Sequence, residues 1–193
     1  HEMIEALPDG ALLVLDEAYV EFAPEAELPR IDPANDRVIR FRTFSKAHGL
    51  AGARVGYAIG PKPLIAAFDR VRNHFGLTRW AQAWALAALA DRAHLSHVVT
   101  EVARARARIA AIAHDNGLAP LPSATNFVAI DCGADGAFAK RVVAALGDLG
   151  VFVRMPGVAP LNRCIRVTAG READLDVFAQ ALPRALETAR AAP

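Results

Sequence analysis

The chain reads as an α/β protein, and three observations lead there. Short continuous apolar runs, Ala11–Leu15 and Val38–Phe44, are bounded by turn residues as buried strands are. Longer stretches with apolar positions at helical spacing lie between and beyond them, the clearest being His94–Asn116. From residue 117 onward strand-like and helix-like segments alternate, which is the pattern of a layered α/β unit.

Taken in order, His1–Leu7 reads as the end of an amphipathic helix begun earlier. Leu12–Leu15 follows the turn Pro8-Asp9-Gly10 and suits a buried parallel strand. Val38–Phe44 is a second strand after a loop rich in Pro, Asp and Asn, and Ala53–Ile59 is a third, closed by Gly60-Pro61. Pro61 and Pro63 open a helix through Arg72. Thr78–Ala90 is an alanine-rich helix. In His94–Asn116, Val98, Val102, Ala105, Ile109 and Ile112 form the apolar stripe, and Asn116-Gly117 ends the helix. Strands at Thr125–Asp131, Val151–Val153 and Cys164–Thr168 and helices at Gly136–Leu149 and Glu172–Ala189 complete the chain. The natural division falls near residue 91, giving segments 1–90 and 91–193.

Composition narrows the function. The 193 residues are 53% hydrophobic and 22% charged, enough for a sizeable core. Lys+Arg 22 against Asp+Glu 21 gives net charge +1, which argues against nucleic acid or a membrane surface as partner. No apolar run approaches the roughly 20 residues that span a bilayer. The N-terminus lacks the pattern of a signal peptide, so the expected location is cytoplasmic. Cys132 and Cys164 form neither a disulfide framework nor a metal cluster and read as small buried hydrophobes. No metal is expected.

The chemistry concentrates in Thr43-Phe44-Ser45-Lys46-Ala47-His48-Gly49-Leu50-Ala51-Gly52-Ala53-Arg54-Val55-Gly56-Tyr57 and in Asp16-Glu17-Ala18-Tyr19. Lysine is scarce here, with only Lys62 and Lys140 besides Lys46, so a lysine kept in a small-residue loop after a strand carries information. An amine there can attack an aldehyde once neutral. Asp16 ends a strand, where ligands of α/β sheets collect, and a carboxylate can keep a pyridinium nitrogen protonated. Tyr19 offers a phenol. Thr43, Ser45 and Arg54 offer hydroxyls and a guanidinium for a phosphate. An amine, an acid, a phenol, hydroxyls and an arginine are the parts that hold pyridoxal 5'-phosphate. Read blandly, the same residues are a solvated lysine, an aspartate capping its loop, a packed tyrosine and a surface ion pair. His48 and His74 read as packing rather than acid–base groups.

These motifs together resemble the fold-type I aminotransferases, and most closely the histidinol-phosphate aminotransferase branch. The resemblance implies a pyridoxal-phosphate-dependent transferase fold: a partial large domain with a mostly parallel sheet in 1–90 and a small C-terminal α/β domain in 91–193. It implies that Lys46 forms the internal aldimine, Asp16 pairs with the pyridine nitrogen and Tyr19 bonds the ring oxygen. Ser45 and Arg54, with Thr43, hold the phosphate. Asn162-Arg163-Cys164-Ile165-Arg166-Val167-Thr168-Ala169-Gly170 is similar to the family's arginine strand, so Arg166 would grip a substrate carboxylate or phosphate, and Arg154 would be a second anion-binding arginine. Asn126 matches a recurring pattern without an assigned role. The implied activity moves an amino group between an amino acid or histidinol phosphate and a 2-oxo acid, 2-oxoglutarate foremost, in histidine biosynthesis, by a homodimer. The alternatives are a threonine-phosphate decarboxylase and a non-catalytic effector-binding module. Family chains are longer. The expected additional part precedes His1 and carries a glycine-rich phosphate turn, a ring-stacking aromatic residue, an asparagine near the ring oxygen and a tyrosine donated across the dimer. The 193 residues alone are expected to be poorly soluble and inactive.

Overall fold

Two three-stranded sheets organise the chain, each in its own compact unit, His1–Val99 and Thr100–Pro193. The structure is a computed structural model that describes residues 2–24, 28 and 30–191. His1 of the expected N-terminal helix and part of the loop before Val38 lie outside the described residues.

The first unit opens with one helical turn, α1 (Glu2–Glu5). Its sheet has the order β1-β2-β3, with β1 at Leu13–Asp16, β2 at Val38–Thr43 and β3 at Gly56–Ile59. β1 runs parallel to β2, Asp16 facing Phe41, while β3 runs antiparallel to β2, Tyr57 facing Arg42 and Gly56 facing Thr43. The pairing is therefore mixed. Helices α2 (Lys62–Phe68), α3 (Arg79–Ala90) and the start of α4 (Arg92–Asp115) follow. Thr78 begins α3 by accepting the Ala81 amide at 3.1 Å, which satisfies one of the helix's orphan donors. Asp91 does the same for α4 through the His94 amide at 2.9 Å.

Several expected elements differ. β1 is not a strand buried on both faces: Val14 is 60% exposed, because among the described residues β1 has one neighbouring strand and only one covered face. The third strand is shorter than Ala53–Ile59, since Ala51–Ala53 winds into a 3-10 turn and Arg54 takes a left-handed conformation, φ 51° and ψ 47°. The helix after Pro61 stops at Phe68, short of Arg72.

In the second unit β4 (Ala119–Pro120), β5 (Phe127–Asp131) and β6 (Cys164–Thr168) form an antiparallel sheet in that order. Val128 and Ile130 point to one face of β5 and are buried with Ile165 and Val167 of β6. Helices α5 (Gly136–Asp148) and α6 (Glu172–Ala191) supply Val142, Leu146, Phe178, Leu182 and Leu186 to the same core. Each such large side chain removed from water contributes about 1.5–3 kcal/mol. Asp135 caps α5 through the Phe138 amide at 2.8 Å. Val151–Val153 is not a strand. Its neighbour Arg154 makes only an isolated bridge to Arg166, because the chain meets β6 at a single residue. β4 was not foreseen, since two residues carry no periodicity.

Candidate active site

β2 delivers the lysine loop. The strand ends at Thr43, whose Oγ1 accepts the Ser45 amide at 3.0 Å, turning the chain out of the ladder. The loop is then closed by backbone bonds: Phe44 N–H to the Val55 carbonyl at 3.2 Å, Leu50 N–H to the Phe44 carbonyl at 2.8 Å, and Gly49 N–H to the Lys46 carbonyl at 3.0 Å. Gly49 has φ 69°, a conformation that disfavours a Cβ, so the last of these bonds suits glycine. Phe44 and Ala47 are buried on either side of the Ser45-Lys46 pair, which is half-buried. His48 packs its ring 5.0 Å from that of Phe44.

β1 delivers the acid and the phenol. Asp16 is exposed, and its Oδ1 accepts the Ala18 amide at 3.0 Å. That leaves its second carboxylate oxygen uncommitted among the described residues. The turn brings Tyr19 back toward the lysine loop, and the Lys46 Nζ lies 5.2 Å from the centre of the Tyr19 ring. An ammonium over a phenol face is attracted by its quadrupole. Residues 27 positions apart in sequence thus meet through the parallel pairing of β1 with β2.

Arg54 ends the 3-10 turn in its left-handed conformation, exposed, with Nη1 donating to the Ala51 carbonyl at 2.7 Å. It is the only described non-glycine residue with positive φ. Such backbone strain costs roughly 1–2 kcal/mol and gathers at sites that use it. No carboxylate pairs with Arg54 among the described residues, contrary to a surface ion pair.

A buried ionic cluster stands beside these groups and was not anticipated from the sequence. The Glu17 side chain is 6% exposed and holds Arg40 and Arg42 of β2, at 2.7 Å from Arg40 Nη2 and 2.8 Å from Arg42 Nε. Burial would lower the Arg42 pKa, but hydrogen bonding to Glu17 and to Tyr57 outweighs it and holds the guanidinium above its ordinary value. The available signal was the Arg-x-Arg spacing in β2, which puts both side chains on one face.

In the second unit Arg154 and Arg166 exchange backbone bonds, Arg154 N–H to the Arg166 carbonyl at 3.2 Å and the reverse at 2.6 Å. Directly opposed residues in an antiparallel bridge put their side chains on one face, where like charges repel unless an anion intervenes. Neither arginine has a carboxylate partner among the described residues. Arg166 stacks its guanidinium 4.9 Å from the Phe127 ring centre, and its buried Nε has no hydrogen-bond partner. Arg154 lies over exposed Phe152 at 6.0 Å. The Asn126 carbonyl accepts the Ala169 amide at 2.8 Å, tying the start of β5 to the end of β6.

Cys132 and Cys164 are both buried free thiols, and burial pushes Cys132 up to about 11 and Cys164 upward as well. Thiols so raised stay protonated near neutrality and are poor nucleophiles and poor metal ligands. Among the described residues no group of His, Cys, Asp or Glu could hold a metal ion, and no helix is long and apolar enough to cross a membrane.

The first unit thus places an amine beside a phenol, an acid at a strand end and an arginine in a left-handed turn. The chain belongs to the aminotransferase class I and II family, whose model matches residues 1–182. It is similar to a histidinol-phosphate aminotransferase from Sinorhizobium meliloti, solved in complex with pyridoxal-5'-phosphate. The identity is 53% and the TM-score 0.92, over 96% of this chain and 52% of that one. Histidinol-phosphate aminotransferase 2 of Thiobacillus denitrificans is 36% identical over 94% of this chain and 51% of its own length. An L-threonine-O-3-phosphate decarboxylase from Porphyromonas gingivalis, at 22% identity and TM-score 0.74 over 90% of this chain and 55% of that one, shares the fold. The chain spans about half the length of the relatives it matches.

Proposed function

We propose that this chain carries the lysine-bearing part of a pyridoxal-phosphate-dependent aminotransferase. It would move an amino group between histidinol phosphate, or an amino acid, and a 2-oxo acid, with 2-oxoglutarate the foremost acceptor. The observation that carries this reading is the meeting of Lys46 with Tyr19 at the adjoining ends of β2 and β1, next to Asp16.

The donor set fits the cofactor. Lys46 supplies the amine and Asp16 an uncommitted carboxylate oxygen for the ring nitrogen. Tyr19 supplies the phenol, and Thr43, Ser45 and Arg54 supply hydroxyls and a guanidinium for the phosphate. When bound, the cofactor supplies an aldehyde that condenses with amines and a ring that accepts the electron pair left by Cα–H cleavage. Asp16 holds a proton on the ring nitrogen. Arg54, its backbone already bent into place, binds the phosphate dianion by charge-assisted bonds. With the cofactor bound, the Lys46 amine would take the proton from the substrate Cα. Arg166, with Arg154 opposite, holds the substrate's anionic end.

Named relatives support transamination in histidine biosynthesis, whereas the likeness to the decarboxylase concerns the fold alone. A cytoplasmic homodimer is the assembly this reading adopts. The test treats the intact protein, loaded with pyridoxal 5'-phosphate, with borohydride. The expected result is cofactor fixed on the peptide containing Lys46, and keto-acid formation from histidinol phosphate that Lys46→Ala abolishes. Label on another peptide, turnover retained by Lys46→Ala, or CO2 release in place of keto-acid formation would overturn it.

A further inference from the structure

The two loops that carry the proposed cofactor groups leave the sheet from adjoining strand ends. Asp16 closes β1, and Thr43 closes β2. A buried ionic cluster stands on the other face of the sheet beside those ends. Glu17, the next residue after Asp16, extends the ladder by donating its amide to the Phe41 carbonyl at 2.8 Å. Its side chain turns to the face opposite Asp16. There Oε1 accepts Arg40 Nε at 2.9 Å and Nη2 at 2.7 Å, while Oε2 accepts Arg42 Nε at 2.8 Å. Both carboxylate oxygens are thus used, one on each arginine. Arg42 immediately precedes Thr43 and faces Tyr57 of β3, which adds a side-chain bond to it. The Tyr57 ring packs 5.6 Å from Phe44, which leads into Ser45 and Lys46.

A buried carboxylate between two partly buried guanidiniums is costly to desolvate, and well-packed apolar side chains often stabilise a fold as well or better. In some proteins such a cluster is kept because it specifies geometry. We propose that Glu17 is a positioning residue. Its two-sided clamp on Arg40 and Arg42 sets the spacing of the Asp16–Tyr19 segment from the Thr43–Lys46 segment, and so aligns Tyr19 with Lys46 for the cofactor. This rests on the aminotransferase reading above.

The experiment compares the intact apo-protein with Glu17→Gln and with the apolar triple variant Glu17→Met, Arg40→Leu, Arg42→Met. Thermal melting is measured, and pyridoxal 5'-phosphate affinity is measured by absorbance titration well below the melt. Glu17→Gln leaves the two arginines without a counter-charge, and is expected to melt lower and to bind the cofactor at least ten-fold more weakly. The triple variant removes the charges together and is expected to recover the melting temperature but not the affinity, which a purely structural role would restore. Wild-type affinity in either folded variant would overturn the proposal while leaving the aminotransferase reading intact. Absence of cofactor binding by the unaltered protein would overturn both.

Discussion

Arg54 offers a separation of backbone strain from ligand binding. Its φ of 51° and ψ of 47° put an L-residue's Cβ against the following carbonyl, at a cost of about 1–2 kcal/mol. Arg54→Ala keeps that cost, and Arg54→Gly removes it. Glycine gives back about 0.4–1 kcal/mol through the greater freedom of the unfolded chain. The glycine variant is therefore expected to be more stable than the alanine variant by about 0.8 kcal/mol, or roughly 2–3 °C in melting temperature for a chain of this size. Both lose the same guanidinium, including its bond to the exposed Ala51 carbonyl. Loss of a charge-assisted bond to phosphate is worth about 1.5–3 kcal/mol, so both should bind pyridoxal 5'-phosphate roughly 10- to 150-fold more weakly. Thermal melts of the apo-protein and equilibrium titration with the cofactor read the two effects separately. An alanine variant as stable as the glycine variant would refute the strain argument. A glycine variant with wild-type affinity would refute the phosphate role.

Gly56→Ala places a Cβ 2.6 Å from the Arg42 carbonyl oxygen, a backbone atom that cannot swing away. β3 must move off β2, and a loss of about 1–3 kcal/mol is expected in a denaturant titration, with weakened cofactor uptake because Arg54 and Lys46 depend on that pairing. Asp131 is held below its ordinary carboxylate value chiefly by hydrogen bonding to Arg163. A depressed folded-state pKa gives stability that is complete above about 3.8 and is lost as pH falls through the lower, folded value. Asp131→Asn should therefore flatten the acid side of the stability-versus-pH curve and leave its slope near neutrality unchanged, as read by melting temperature across pH.

The candidate site was legible in the chain because its groups are local. Thr43 through Arg54 carries an amine, hydroxyls and a guanidinium within one turn-rich segment, and Asp16 and Tyr19 sit three residues apart. Two helix starts were legible for the same reason: Thr78 and Asp135 cap through amides three residues on. The Val151–Val153 strand failed because a strand is defined by its neighbour, and β6 meets that segment at one residue only. The run before Asp16 reads as buried on hydrophobicity alone, yet Val14 is exposed, because burial depends on what covers a face.

What the chain's own order of residues determined is the set of candidate site groups and the α/β alternation, since apolar period, turn chemistry and motif spacing act over a few positions. Tertiary structure alone decided that Tyr19 meets Lys46, that Arg154 faces Arg166, and that Glu17 bridges Arg40 and Arg42. Those meetings depend on strand register and sheet face. Register is a property of two segments pairing, and no single stretch of sequence contains it.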